Sequence, residues 1–248
     1  MFKSSIKGNK IKEVTNALTI MVDEAKFNIT PSGMFVKAVD LANVAMVSLT
    51  LEKEAFESFE ATEGILGINL QKLSSFVEMA DSEDTVALEL DEENHKLKVE
   101  IRGLSYTMLL LDPESMRKEP KIPSLDLPIE ISINGTDFKY GLKAAEKIAE
   151  YVNFGIDAKV SNFYLSASGD TDDVIYEVPV ERLKIIKASE AKSLFAIEYL
   201  TDIQKLTEKT GDISIIMGKD YPVKISFPIS DGKGMVEYMI APRVETGD

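Results

Sequence analysis

Cysteine is absent from the 248 residues and histidine occurs once, at His95. Zinc sites and hydrolytic triads draw on Cys or His at paired positions, so a zinc centre, a His-based triad and a disulfide framework are all excluded. His95 lies in Asp91-Glu92-Glu93-Asn94-His95-Lys96, a polar run between two strand-like segments that reads as a solvated turn. No apolar stretch approaches the ~20 residues of a membrane-spanning helix. The first residues lack the apolar run of a secretory signal, so an intracellular, soluble protein is expected. Asn28-Ile29-Thr30 and Asn134-Gly135-Thr136 then read as turn or strand residues and not as glycosylation sites. A phosphate-binding glycine loop is missing too: Gly232-Lys233-Gly234 follows Ser230-Asp231 and reads as a hairpin turn. The acidic groups Asp81-Ser82-Glu83-Asp84, Asp91-Glu92-Glu93 and Asp170-Thr171-Asp172-Asp173 match no calcium-loop spacing and read as solvated turns. An enzyme using these carboxylates with Mg or Mn is the competing class of function. No metal and no cofactor is expected.

What the chain does contain is ordinary globular material, 44% hydrophobic and 28% charged, arranged in a pattern that repeats. The hydrophobic period predicts a short strand, a helix of three or four turns and then several strands, four times over. The first round is a strand at Phe2–Ile6, a helix capped by Asn9 and running to Val22, and strands through Leu51. The second is Gly64–Ile68, a helix capped by Asn69 over Leu70–Ala80, and strands at 85–90, 96–102 and 105–111. The second half repeats the plan at an offset of about 127–130 residues, which marks an internal duplication. Its helices are predicted at Thr136–Val152 and Tyr199–Lys209. Its strands fall at 129–134, 154–158, 162–167, 174–178, 193–197, 213–217, 221–227 and 234–241. Between the halves, residues 112–128 hold four prolines, which suit neither a helix interior nor a central strand. The expected organisation is therefore a domain at 1–111, an extended linker at 112–128 and a second domain at 129–248.

The net charge of −14 argues against a nucleic-acid partner until its distribution is considered. The four helical segments carry eight lysines, Lys10, Lys12, Lys72, Lys139, Lys143, Lys147, Lys205 and Lys209, against seven acids, so the acidity lies elsewhere. On the 136–152 helix the apolar stripe is Phe138, Leu142, Ala145, Ala149 and Val152, while Lys143 and Lys147 lie opposite with Tyr140 and Ala144. Four such faces brought together would make a weakly basic surface for sequence-independent phosphate contact. A second surface is apolar: Ile122, Pro123, Leu125 and Leu127 stand in the linker without an obvious core to join.

Several segments resemble the proliferating cell nuclear antigen family of archaeal and eukaryotic DNA sliding clamps. They are Asp23–Ile29 with Ser32-Gly33-Met34, Val36–Met46, Gly67-Ile68-Asn69-Leu70, Phe163–Gly169 and the ending Met239-Ile240-Ala241-Pro242-Arg243-Val244-Glu245. The resemblance implies an α+β clamp fold of two duplicated domains, each with two helices packed on antiparallel sheets. Three such chains would close into a ring around duplex DNA, helices inward. It implies no catalysis. It matches Lys12, Lys143, Lys147 and Lys205 to basic pore positions, with Lys10, Lys72, Lys139 and Lys209 as neighbours, while Thr19, Ser75 and Glu78 stand where relatives have basic residues. It implies a pocket for aromatic-ended peptides of DNA polymerase, clamp loader, flap endonuclease and DNA ligase. That pocket is formed by Val39, Val44, Met46, Ile122, Pro123, Leu125, Leu127, Pro222, Met239, Ile240, Ala241 and Pro242, in which Met239 replaces a tyrosine and Ile240 a leucine. It also implies subunit contacts through the strands at 105–111 and 174–178, here Tyr106, Met108, Leu110, Val174, Ile175, Tyr176 and Val178. A subunit of a heterotrimeric clamp and a peptide-binding adaptor without DNA are the alternatives.

Overall fold

The computed structural model describes residues 1–121, 126–157, 162–187, 189–207 and 210–243. They form two compact units, residues 1–121 with 228–236 and residues 122–227 with 237–248. The division falls inside the expected linker, and the turn around residue 231 belongs to the first unit.

The first half runs β1 (Phe2–Lys7), α1 (Gly8–Thr19), β2 (Glu24–Thr30), β3 (Gly33–Val39), β4 (Ala45–Glu52), β5 (Ser58–Ala61), β6 (Gly64–Asn69), α2 (Leu70–Val77), β7 (Thr85–Asp91), β8 (Lys96–Ile101) and β9 (Leu104–Leu109). The second half runs β10 (Ile129–Asn134), α3 (Gly135–Ala145), β11 (Tyr151–Ile156), β12 (Phe163–Ser168), β13 (Asp173–Val178), β14 (Lys184–Lys187), β15 (Ala191–Ala196), α4 (Ile197–Thr207), β16 (Asp212–Met217), β17 (Val223–Ile229) and β18 (Gly234–Ile240). Strands and helices thus follow one another in the same order in both halves, as the duplication predicts. The sheets match as well. The order β5–β1–β7–β8–β9 of the first half is repeated as β14–β10–β16–β17–β18, and β4–β3–β2–β6 is repeated as β13–β12–β11–β15.

Each sheet buries one face, because side chains alternate across a strand. In β8 Leu97, Val99 and Ile101 are buried, and in β16 Ile213, Ile215 and Met217 are. The helices cover the apolar faces. Ile11, Val14, Ala17 and Leu18 make the buried stripe of α1, and Phe138, Leu142 and Ala145 that of α3. Each large side chain so buried contributes roughly 1.5–3 kcal/mol.

Asn69 and Asn134 both cap, their Oδ1 atoms accepting from the N–H groups of Lys72 and Thr136 at 2.9 Å. Asn9 does not. Helix α1 starts one residue earlier, and its first free N–H groups donate from Gly8 to the carbonyl of Asp84 (2.8 Å) and from Asn9 to that of Ser82 (3.1 Å). The loop carbonyls satisfy the orphan donors that a side chain was expected to take. The helix predicted to reach Val152 ends at Ala145, because residues 151–156 pair with 191–196 as a strand.

Candidate nucleic-acid interface and partner surface

In the first unit α1 packs against α2, and in the second α3 packs against α4. Lys12 Nζ lies 3.4 Å from the Glu78 carboxylate and donates to the Glu78 carbonyl at 3.0 Å. Lys10 pairs with Asp231 at 3.1 Å. Asp231 sits in the turn before β18 in left-handed backbone (φ 57°), as does Ser230 (φ 51°), whose N–H donates to Glu13 at 2.7 Å. Such backbone persists where its surroundings over-determine it, here through two residues of α1. In the second unit Lys205 pairs with Asp202 at 2.7 Å, and this bond raises the lysine above its usual pKa. Lys72, Lys143 and Lys147 are exposed and have no carboxylate at ion-pair distance among the described residues. Lys139 is half-buried, and Lys209 lies outside the described residues. Between the end of α3 and the start of α4 opens a cleft of about 520 Å³ lined by Glu146, Glu150, Glu198, Asp202 and Tyr151.

The apolar positions fall in both units. In the first, Val39 and Met46 are directly opposed across β3 and β4, and both are half-exposed. The buried carboxylate of Asp40 accepts from the N–H groups of Ala42, Val44 and Ala45 (3.3, 2.8 and 2.9 Å), which fixes the loop carrying Val44. Leu41 at its tip is 83% exposed, and Arg117 donates to the Asp40 carbonyl at 2.6 Å. In the second unit Met239, Ala241, Pro242 and Pro222 are half-exposed. Ile240 and Leu127 are buried, so these two side chains belong to the core and not to an open pocket. Ile240 takes the inward phase of β18, between the half-exposed Met239 and Ala241. Ile122, Pro123 and Leu125 lie outside the described residues.

Strands β9 and β13 are the last strands of their sheets. The alternation turns Met108 and Val178 inward, which corrects their assignment to a contact surface, and it exposes Leu109 and Ile175, while Leu104 is exposed at the start of β9. Leu110 and Val174 are half-exposed. Each edge carries an aromatic pair with a helix: Tyr106 stacks on Phe76 at 4.5 Å, and Tyr176 meets Tyr140 at 5.1 Å. The Tyr176 hydroxyl donates to the buried Asp137 carboxylate at 2.6 Å, and Arg182 pairs with the same oxygen. Burial first, and then Asp137, pushes the Tyr176 phenol above its usual pKa.

Residues 1–107 match the family model of the proliferating cell nuclear antigen N-terminal domain. The DNA polymerase sliding clamp of Methanococcoides burtonii is 46% identical over 246 residues, covering 99% of this chain and 100% of its own. That of Methanosarcina barkeri is 45% identical with the same coverage. The chain belongs to the DNA polymerase sliding clamp family. A solved structure of the clamp of A. fulgidus, bound to the C-terminal region of FEN-1, superposes with a TM-score of 0.92 at 32% identity and covers 100% of both chains.

Sequence reasoning about this sliding clamp missed the carboxylates that neutralise its lysines. Asp202 stands three residues before Lys205, a spacing legible as an ion pair on a helix. Glu78 and Asp231 gave no such signal, being 66 and 221 residues from their lysines. The Asp137–Tyr176–Arg182 cluster was also missed; an acid in the first turn of a helix was its one visible sign.

Proposed function

We propose that the chain is a non-catalytic processivity clamp. Two domains, 1–111 and 129–248, joined by the linker 112–128, assemble as three copies into a closed ring around duplex DNA, and short aromatic-ended motifs of polymerases, flap endonuclease, ligase and clamp loader dock on it. The observation that carries this reading is the full-length relation to DNA polymerase sliding clamps, at 46% identity.

The duplication supplies the physical support for closure. Within the first unit the start of β18 lies along the end of β4: the Glu52 N–H donates to the Lys233 carbonyl at 2.9 Å. By sheet order β18 corresponds to β9 and β4 to β13. Pairing β9 of one copy with β13 of the next repeats that joint between copies and covers Leu109 and Ile175, which are 66% and 60% exposed. It also removes two unpaired sheet edges, a standing liability for aggregation. Enclosure then supplies retention, and the lysines of the four helices, Lys12, Lys72, Lys143, Lys147 and Lys205 among them, need supply only weak phosphate contact. Val39, Val44, Met46, Met239, Ala241 and Pro242 offer half-exposed apolar contact to a peptide, and two deformable methionines suit several partners.

Loading onto nicked circular DNA, with release when the circle is cut, tests the ring. Light scattering should give the mass of three chains. A monomer at micromolar concentration, or equal retention on linear DNA, would rule it out.

A further inference from the structure

We propose that Glu78, Asp202 and Asp231 act as built-in attenuators of DNA binding, each holding a helix lysine in an ion pair so that duplex phosphates meet fewer free cations than the lysine count suggests. The inference rests on the reading that the four helices face DNA.

The geometry is specific at each site. Lys12 is held twice, by the Glu78 carboxylate at 3.4 Å and the Glu78 carbonyl at 3.0 Å, at the end of α2 where unpaired carbonyls already carry partial negative charge. Lys205 is held one turn along its own helix by Asp202 at 2.7 Å. Lys10 is held by Asp231 at 3.1 Å, from a turn in left-handed backbone. Lys10 and Lys12 are half-buried, but their carboxylate partners and the Lys205–Asp202 pair stand in solvent, so these ion pairs add little to stability. Their larger effect is on the field: a paired lysine presents a dipole, whose potential is largely screened beyond a Debye length of about 8 Å at physiological salt. In the second unit the cleft carboxylates Glu146, Glu150 and Glu198 add negative potential next to the same helices. Phosphate contact is thereby concentrated on Lys72, Lys143 and Lys147. A ring that holds DNA by enclosure gains from this, because fewer phosphate contacts must be broken and remade at each sliding step.

The test is equilibrium binding of the full chain to a fluorescent 30-base-pair duplex across a salt series. The isosteric variant Glu78→Gln/Asp202→Asn/Asp231→Asn removes the three partners. It should bind several-fold tighter at low salt, and its log-affinity against log-salt should steepen by about 0.9 for each phosphate newly contacted. A charge-matched control, Glu60→Gln/Glu93→Gln/Asp170→Asn, removes three exposed acids that lie outside the helices and should change neither. If both variants behave alike, only total charge matters and the proposal is overturned. The reading beneath it is tested separately by Lys143→Glu/Lys147→Glu, which should weaken binding at least tenfold. Wild-type affinity in that variant would remove DNA from these helices altogether, whatever the first comparison shows.

Discussion

The guanidinium of Arg243 lies over the Tyr151 ring, 4.4 Å from its centroid, and also donates to the Tyr151 hydroxyl. The Arg243 N–H donates to the Leu194 carbonyl at 2.8 Å, so the arm after β18 is tied to the second unit by backbone and side chain together. Ala241 and Pro242 lie between this tie and the end of β18, and their path depends on it. Arg243→Ala should cost about 0.5–1 kcal/mol, the value of an exposed cation–π contact. It should speed amide exchange at Ala241 and Arg243 and weaken an aromatic-ended peptide several-fold, with Arg243→Lys intermediate. Unchanged exchange would mean that the backbone bond alone fixes the arm.

The Asp137 carboxylate is buried and serves two donors, Tyr176 and Arg182, through one oxygen, so Asn in its place keeps an acceptor but removes the negative charge that balances Arg182. Asp137→Asn should lower unfolding free energy by about 1–3 kcal/mol, discounted because Arg182 is half in solvent. If β13 is a contact strand, ring assembly should weaken in the same variant. Denaturant titration and light scattering read the two effects independently, and a variant as stable as wild type would show that the cluster is not coupled to the fold.

Gly8 and Gly135 stand at the starts of α1 and α3, 127 residues apart, and both meet a carbonyl at close range. A Cβ on Gly8 would fall 2.2 Å from the Asp81 oxygen, and on Gly135 2.3 Å from the Thr207 oxygen. Their N–H groups donate to Asp84 and Gly211, again 127 residues apart. Gly8→Ala and Gly135→Ala should each destabilise by about 1–3 kcal/mol through overpacking. Thermal melts of the two variants should shift alike. A shift in only one would mean that the duplicated helix starts are not under equal constraint.

Burial pushes the Tyr238 phenol well above its usual pKa. The folded form keeps its proton where the unfolded chain, with an ordinary phenol near pH 10, gives it up. The stabilisation is therefore complete below about pH 10 and is lost as pH rises through the raised folded value. Denaturant titrations at pH 8 and pH 11 should show the gap between wild type and Tyr238→Phe moving by roughly 1 kcal/mol in favour of the variant, given the linkage slope for one proton. A constant gap would show that Tyr238 does not contribute to alkaline unfolding.

The strand and helix periods and the cap at Asn69 were legible because each is a local pattern, and the duplication because that pattern recurs, whereas the contact strands near 105–111 and 174–178 came from the family resemblance. Alternation, helical period and a capping asparagine are set by residues within a few positions of one another. The same local patterns misplaced Asn9, whose capping role passed to carbonyls of residues 82 and 84. The family resemblance assigned Met108 and Val178 to a contact surface, although the pleat turns both inward.

The sequence by itself determined that this is a duplicated α+β chain without cysteine, whose four helices carry eight lysines against seven acids within a net charge of −14. It did so because composition and periodicity survive in one dimension. Only the tertiary structure decided which of those lysines are free. Lys12 and Glu78 are far apart along the chain and 3.4 Å apart in space. A charge's effect depends on its nearest opposite charge, and folding chooses that neighbour.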